Sequence, residues 1–187
     1  MKKISLIILA FGSFAFFSCK DTPKNVEPEV VTIDNSAESK EVYEIAQLDA
    51  KFNDSNIETI FKQYLRLEAA LINTDAKYAA LESAKLQSMI EELDVKADDE
   101  IQKSIITMSE TDDIEIQREN FETVNGWMEK ILEGSLKSGT IYKQYCPMAF
   151  NNRGAYWLST SKDVLNPYFG DKMLKCGRVD SEIISVQ

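Results

Sequence analysis

The residues of this chain with the most distinctive chemistry are two cysteines, each with a methionine two or three positions away. Cys146 stands two residues before Met148, and Met173 stands three residues before Cys176. Thiolates and thioethers are soft ligands, which suit monovalent copper or silver better than oxygen-loving cations. These four residues are therefore candidate ligands for a soft metal ion, with Cu(I) as the cofactor or cargo that the ligand set favours.

The same cysteines also fit a structural disulfide. An exported pair of cysteines meets an oxidising compartment, in which disulfides form and persist. A bond between Cys146 and Cys176 would close a loop of about 30 residues and stabilise the fold by about 3–4 kcal/mol on the loop-entropy model. The two alternatives are compatible, since a redox-sensitive site would bind metal only while its thiols are reduced.

Other site chemistries find little support in the sequence. Zinc sites need four nitrogen or sulfur ligands, usually from cysteine and histidine, and this chain contains no histidine. Without histidine there is no Ser-His or Cys-His pair for nucleophilic catalysis. No glycine-rich phosphate loop occurs among the 7 glycines. We therefore expect a protein that is not an enzyme.

The charge of the chain bears on its partners. The formal net charge is −10, and no basic cluster or stripe is present. A polyanion repels phosphate backbones, so we expect no nucleic-acid partner.

The N-terminal segment is typical of an exported protein. Two lysines precede an apolar run from Ile4 to Phe17, which ends at Ser18-Cys19. This pattern predicts a signal peptide over residues 1–18, and the cysteine after a small residue resembles a bacterial lipobox, although Phe16 stands where leucine is usual. An ordinary signal peptide with an incidental cysteine is the alternative. We expect Cys19 to carry the lipid that anchors the protein to a membrane of the bacterial cell envelope, facing the periplasm or on the surface.

Helical periodicity dominates the middle of the chain. For residues 19–52, the composition predicts a lipidated cysteine followed by a disordered acidic tether. Ser55 and Glu58 have the spacing of a capping box, with apolar residues at helical spacing after them, and the first helix should end near Ile72. Apolar residues at helical spacing recur through residues 53–139, which we expect to form the helical bundle. The fold class predicted is mostly α, an antiparallel four-helix bundle.

The character of the sequence changes after Gly139. Residues 140–180 are rich in aromatics and turn signals without a helical period, which predicts a small aromatic C-terminal cap of loops and short strands. Residues 181–187 are expected to be a tail. In a second functional hypothesis, Tyr156, Trp157 and Tyr168 form a surface that docks an envelope protein, and the Cys146–Cys176 pair is a structural disulfide.

The order of motifs in this cap resembles a known family. The motifs are YCPMA at 145–149, GAYWLS at 154–159, NPYFG at 166–170 and ML-x-CG at 173–177, with QR-x-x-F at 117–121 in the last helix. Together they resemble the domain of unknown function 3347 family over about residues 57–179. Members of that family often have histidine where this chain has Tyr145.

The resemblance carries implications beyond the residues themselves. The family occurs in exported proteins of the Bacteroidetes and is appended to periplasmic adaptors of copper and silver efflux pumps. It therefore implies periplasmic handling of copper, with efflux-system or other envelope proteins as partners. The leading hypothesis is an exported lipoprotein that binds soft metal ions, Cu(I) or Ag(I), in metal efflux or tolerance; the interaction module is the alternative.

Overall fold

The computed structural model describes residues 42–45 and 47–185. The chain divides into two units, Met1–Ser39 and Lys40–Gln187, and every described residue belongs to the second. The predicted signal peptide, the predicted lipid-attachment residue Cys19 and most of the predicted tether lie outside the described residues. The prediction of export and lipidation therefore stays a prediction.

Four long helices account for most of the regular structure. They are α1 (Ser55–Ile72), α2 (Ala76–Glu92), α3 (Asp99–Ser109) and α4 (Ile114–Leu132). An aspartate precedes each helix, and its carboxylate accepts a hydrogen bond from a backbone N–H of the first turn; these N-caps are Asp54, Asp75, Asp98 and Asp113. Carboxylates at these positions also complement the positive end of the helix dipole.

The first helix shows how well the sequence pattern locates an element. It ends at Ile72, as predicted, but its N-cap is Asp54 rather than Ser55. The Asp54 carboxylate accepts from the backbone N–H of Asn56 at 2.8 Å. Aspartate and serine are comparable N-caps, so two capping residues in succession leave the first residue of a helix undecided by one position.

Each helix packs against the next one in the chain, and the fourth also packs against the first. Helix α1 contacts α2, α2 contacts α3, α3 contacts α4, and α4 also contacts α1. The protein is about half helical, with four long helices and short antiparallel strands in two small sheets, and an antiparallel four-helix bundle is not confirmed. In the part of the chain that is described, no helix is long and apolar enough to cross a membrane.

The strands form two antiparallel sheets. Strand β1 (Lys51–Phe52) pairs with β2 (Leu136–Ser138). The second sheet has β3 (Thr140–Cys146) at its centre, between β4 (Ala155–Ser159) and β5 (Arg178–Ile184). Short strands in the aromatic C-terminal part were expected.

Two strand segments lie where the sequence predicted no regular structure. Strand β1 lies at the end of the predicted tether, and residues 181–184 of the predicted tail form the second half of β5. A strand of two residues is too short to show alternation, and five of the seven residues of β5 are exposed. Neither strand therefore has the apolar pattern by which strands are recognised.

A run of aromatic rings forms the centre of the core. The ring of Phe61 lies 5.9 Å from Phe52 and 5.7 Å from Tyr64. Tyr64 stacks on Phe121 at 5.3 Å, and Phe121 lies 5.9 Å from Tyr168. These rings come from β1, α1, α4 and the segment after β4, so one apolar core joins the helices to the C-terminal sheet.

Buried hydrogen bonds fix the sheet against the helices. The Tyr64 hydroxyl donates to the Asn125 side-chain oxygen at 2.8 Å and accepts from the Leu158 backbone N–H at 3.1 Å. The Asn125 amide and the Tyr168 hydroxyl both donate to the Tyr156 carbonyl, at 2.9 and 2.5 Å. Helices α1 and α4 thereby hold β4 in register, because each of these buried polar groups needs its partner.

A buried arginine holds the segment after β4 against the helices. The Arg118 Nε donates to the Pro167 carbonyl at 2.8 Å. Its terminal nitrogens donate to the Leu71 carbonyl and the Thr74 hydroxyl, both at 3.2 Å, and to Glu115 at 3.1 Å. The planar guanidinium reaches these four acceptors from three separate nitrogens, whereas a lysine has all its donors on a single nitrogen.

Glu68 of α1 is a buried acid outside the hydrogen-bond networks described above. Glu68 is buried and borders a cavity of about 30 Å³, which Ser161 and Asp163 also line. Burial raises the pKa of Glu68 well above its ordinary value. It therefore keeps its proton to a higher pH than an exposed glutamate does.

Candidate functional site

The two predicted thiol ligands lie side by side. Cys146 ends β3, is 0% exposed, and faces Ala155 of β4 in the strand register. Cys176 lies two residues before β5 and is partly exposed. Their sulfur atoms are 2.9 Å apart.

These sulfurs are not bonded to each other. A disulfide needs an S–S distance of about 2.05 Å, and both cysteines are free. The disulfide expected in the second functional hypothesis is therefore not present in this structure. The site is instead a pair of thiols, held close by residues distant in the sequence.

A buried asparagine holds the segment that carries the second thiol. The Asn166 side-chain amide donates to the Cys176 carbonyl at 2.7 Å. Its oxygen accepts from the backbone N–H groups of Tyr168 and Phe169, at 2.8 and 3.2 Å. The sequence marked Asn166 only as a turn residue before Pro167; its role depends on the packing around it.

A glycine lets the second thiol approach the sheet. Gly177 has φ +147°, and a Cβ at this position would lie 2.8 Å from the Trp157 ring and 3.0 Å from the Tyr145 carbonyl. A side chain would force these neighbours apart and move Cys176 away from Cys146. Glycine is therefore required here both for its conformation and for close contact.

The environment of the pair favours the protonated thiol. Burial, followed by the hydrogen bond to Cys146 and its nearby charge, raises the pKa of Cys176 from an ordinary 9.0 to about 11. The Met148 backbone N–H faces the Cys176 sulfur and opposes this effect in part. At neutral pH Cys176 is thus a protonated thiol, and an incoming ion must displace its proton.

The two predicted thioether ligands line a cavity that does not include the thiols. Met148 and Met173 both line a cavity of about 430 Å³, which is bordered by α4 and by the turns after β3 and β4. Among the residues that line this cavity, neither cysteine is found. The structure thus brings the two thiols together, and it places both methionines at a cavity that the cysteines do not line.

An unusual turn forms one wall of that cavity. Phe150, Asn151 and Asn152 have φ values of 49°, 57° and 68°, three consecutive left-handed residues that are not glycine. Left-handed conformations cost roughly 1–2 kcal/mol per residue for L-amino acids. Strain of this kind is common at functional sites, and the sequence predicted only a turn near these asparagines.

Histidine, cysteine and acidic side chains form no larger metal-binding cluster in the described part of the chain. Within residues 42–45 and 47–185, no group of three or more His, Cys, Asp and Glu side chains could hold a metal ion. A larger cavity of about 660 Å³ lies between residues 42–45 and the turn joining α1 to α2, where the Asn73 side chain pairs with both backbone groups of Tyr43 at 2.9 Å. No cysteine or methionine lines it.

The aromatic docking surface of the second hypothesis is not formed. Trp157 is 0% exposed and Tyr168 is 4% exposed, while Tyr156 is 37% exposed. The buried rings pack on each other and on the segment before β5, with Trp157 and Tyr168 6.1 Å apart. Aromatic side chains bury large apolar areas, and here that area serves the core.

Comparison with known proteins gives a match to a family model over part of the chain. Neither the curated proteins nor the solved structures contain a significant match. A family model does match the chain: "Protein of unknown function (DUF3347)", over residues 60–139. The matched segment runs from α1 through β2, so the cysteine and methionine motifs lie after it. The resemblance predicted from the sequence is confirmed over this segment, where residues 60–139 match the DUF3347 family model.

Proposed function

We propose that this protein is an exported lipoprotein that binds soft metal ions, Cu(I) or Ag(I), as cargo in metal efflux or tolerance. The observation that carries the proposal is the pair of unbonded thiols, Cys146 and Cys176, with sulfurs 2.9 Å apart. Met148 and Met173 add two thioethers next to this pair in the sequence. Thiolate and thioether are the ligand types that favour monovalent copper and silver.

The position of the thiols suits binding with release. Cys146 is buried and Cys176 is partly exposed, so an ion reaches the pair from the side of Cys176. Because the pKa of Cys176 is raised to about 11, protons compete with the ion at neutral pH. Apparent affinity should fall about tenfold per pH unit for each proton that binding displaces. Acid therefore favours release.

Export and efflux rest on other features. The apolar N-terminal run and Cys19 are the basis for a lipid anchor in the cell envelope. The link to copper and silver efflux comes from the family resemblance, which is confirmed only for residues 60–139. Efflux-system proteins are the partners that this resemblance suggests.

The proposal is tested by anaerobic titration with Cu(I) against a competing chelator. The protein used is the chain from residue 19 onward with Cys19→Ser, so that only two thiols remain. We expect two reactive thiols after reduction and one tightly bound Cu(I) per chain. Cys176→Ser should abolish tight binding, because a single thiolate remains.

A matched control guards against loss of folding. Met89 lies on α2, away from the sulfur pair, and Met89→Leu should bind Cu(I) like the parent chain. Circular dichroism should show the same helical content in both variants. Tight one-to-one binding that survives replacement of both Cys146 and Cys176 would falsify the proposed function.

A further inference from the structure

We propose that the cavity lined by Met148 and Met173 is a separate outer site for a soft monovalent cation, which loads the thiol pair behind it. This inference rests on the proposed function, since it names the route by which the same cargo enters. It divides the four sulfur residues, which the sequence pattern groups as one candidate site, into two sites with different chemistry.

The contents of the cavity support a thioether site. Its volume is about 430 Å³, and both methionines line it while neither cysteine does. Met148 is 46% exposed. Partly exposed methionines at a cavity provide soft donors in contact with solvent, where an ion arrives first.

The charge around the cavity favours a cation. Glu115 and Glu119, one turn apart on α4, line the same cavity, and both are exposed. Within the described part of the chain, no lysine or arginine side chain lines it. Arg118 contacts Glu115 at 3.1 Å and Lys172 contacts it at 3.3 Å, and together they offset the negative charge of Glu115. The carboxylates are too exposed to bind tightly, but they raise the local concentration of cations.

The backbone fixes the position of both methionines relative to the accessible thiol. The Met148 backbone N–H faces the Cys176 sulfur. The Met173 carbonyl accepts a hydrogen bond from the Cys176 backbone N–H at 3.0 Å. The left-handed residues Phe150 to Asn152 follow Met148 directly and restrict that wall of the cavity. Both methionines are therefore tied through the backbone to the segment that carries Cys176.

The two sites differ in how they respond to protons. A thioether carries no proton near neutral pH, so the outer site binds without proton release. At the inner site, the ion leaves the thioethers and forms bonds to the two sulfurs, and any thiol proton that it displaces passes to water. Occupancy of the outer site should therefore be the same at pH 6 and pH 8.

The test follows the methyl groups of methionine during titration with Ag(I), which is redox-inert. The chain from residue 19 onward, with Cys19→Ser and ¹³C-methyl methionine, is compared with the same chain carrying Cys146→Ser and Cys176→Ser. In the variant without thiols, Ag(I) should shift the methyl signals of Met148 and Met173, equally at pH 6 and pH 8. The buried Met108 and Met128 are internal references whose signals should not move.

The outcomes separate the two proposals. If the thiols bind Ag(I) but the methyl signals of Met148 and Met173 never move, the outer site is refuted and the proposed function stands. If those signals move only together with thiol loading, and stay fixed in the variant without thiols, the sulfurs form a single site and the inference is wrong. If the thiols bind neither Cu(I) nor Ag(I), the proposed function fails.

A kinetic measurement covers the case in which the variant without thiols does not fold. In the chain with both thiols, Met148→Leu and Met173→Leu should slow the loading of Ag(I) onto the thiols while leaving its final occupancy unchanged. Met89→Leu is the matched control and should load at the parent rate. Equal loading rates in all four proteins would overturn the inference.

Discussion

The reactivity of Cys176 gives the sharpest quantitative prediction. Burial and the neighbouring Cys146 raise its pKa from an ordinary 9.0 to about 11. At neutral pH this difference lowers the thiolate fraction about a hundredfold. Since the thiolate is the nucleophile, iodoacetamide should alkylate Cys176 in the native protein about a hundred times more slowly than in the urea-unfolded chain.

The assay is peptide-resolved mass spectrometry of alkylation between pH 7 and pH 11. The native rate should rise about tenfold per pH unit and level off only near pH 11, whereas the unfolded chain levels off about two pH units lower. Cys146→Ala should lower the midpoint only in part, since burial, the largest cause, remains. A native midpoint near pH 9 would refute the reasoning, because simple steric protection slows the rate without moving the midpoint.

The same pKa has a consequence for stability with a definite sign. A thiol whose pKa is raised by folding favours the native state while it stays protonated, so its contribution is fully present below about pH 9. That contribution is lost as the pH rises toward about 11. Urea denaturation at pH 8 and pH 10.5 should therefore show a lower unfolding free energy at the higher pH.

Three further predictions concern the fold that holds the site. Tyr64→Phe removes a buried hydroxyl that serves two partners, so the unfolding free energy should fall by about 2–5 kcal/mol. Tyr156→Phe is the control, since Tyr156 is 37% exposed and should lose less than about 0.5 kcal/mol; urea denaturation of both variants measures this. Glu68→Gln should stabilise the protein at pH 8 and not at pH 4. Burial raises the pKa of Glu68, so the unfolding free energy of the parent protein falls as the pH rises, and glutamine removes that loss. Glu110→Gln, at an exposed position, should show no such trend. Gly154→Ala should lower the unfolding free energy by at least about 1–2 kcal/mol, measured by thermal unfolding, because φ is +82° and a Cβ would overlap a tyrosine ring.

The helices could be predicted because their sequence signals are local. Apolar residues at helical spacing and an acidic or hydroxyl residue before them are enough to place α1, whose C-terminal end was predicted correctly at Ile72. The error at its start arose because Asp54 and Ser55 are both good N-caps. The way the four helices pack depends on contacts between distant segments, which periodicity does not report.

The residue types in the sequence identified the candidate site residues, but they did not predict where those residues lie relative to one another. Cys146 and Cys176 are 30 positions apart, and they meet only because β3 pairs with β5 and Asn166 holds the intervening segment. The sequence also gave no reason to separate Met148 and Met173 from the thiols. The left-handed Phe150 could not be foreseen, since bulky residues rarely adopt positive φ.

The exposure of β5 implies that the thiol pair opens more easily than the protein unfolds. Within the described residues, β5 lies at the edge of its sheet, pairs only with β3, and exposes five of its seven residues. Segments with so little buried area open locally at a free energy well below that of global unfolding. Because Cys176 lies two residues before this strand, fraying of β5 would carry it away from Cys146 while the helices stay folded. Amide hydrogen exchange in β5 would then set an upper limit on the rate at which the protein can surrender an ion held between the two sulfurs.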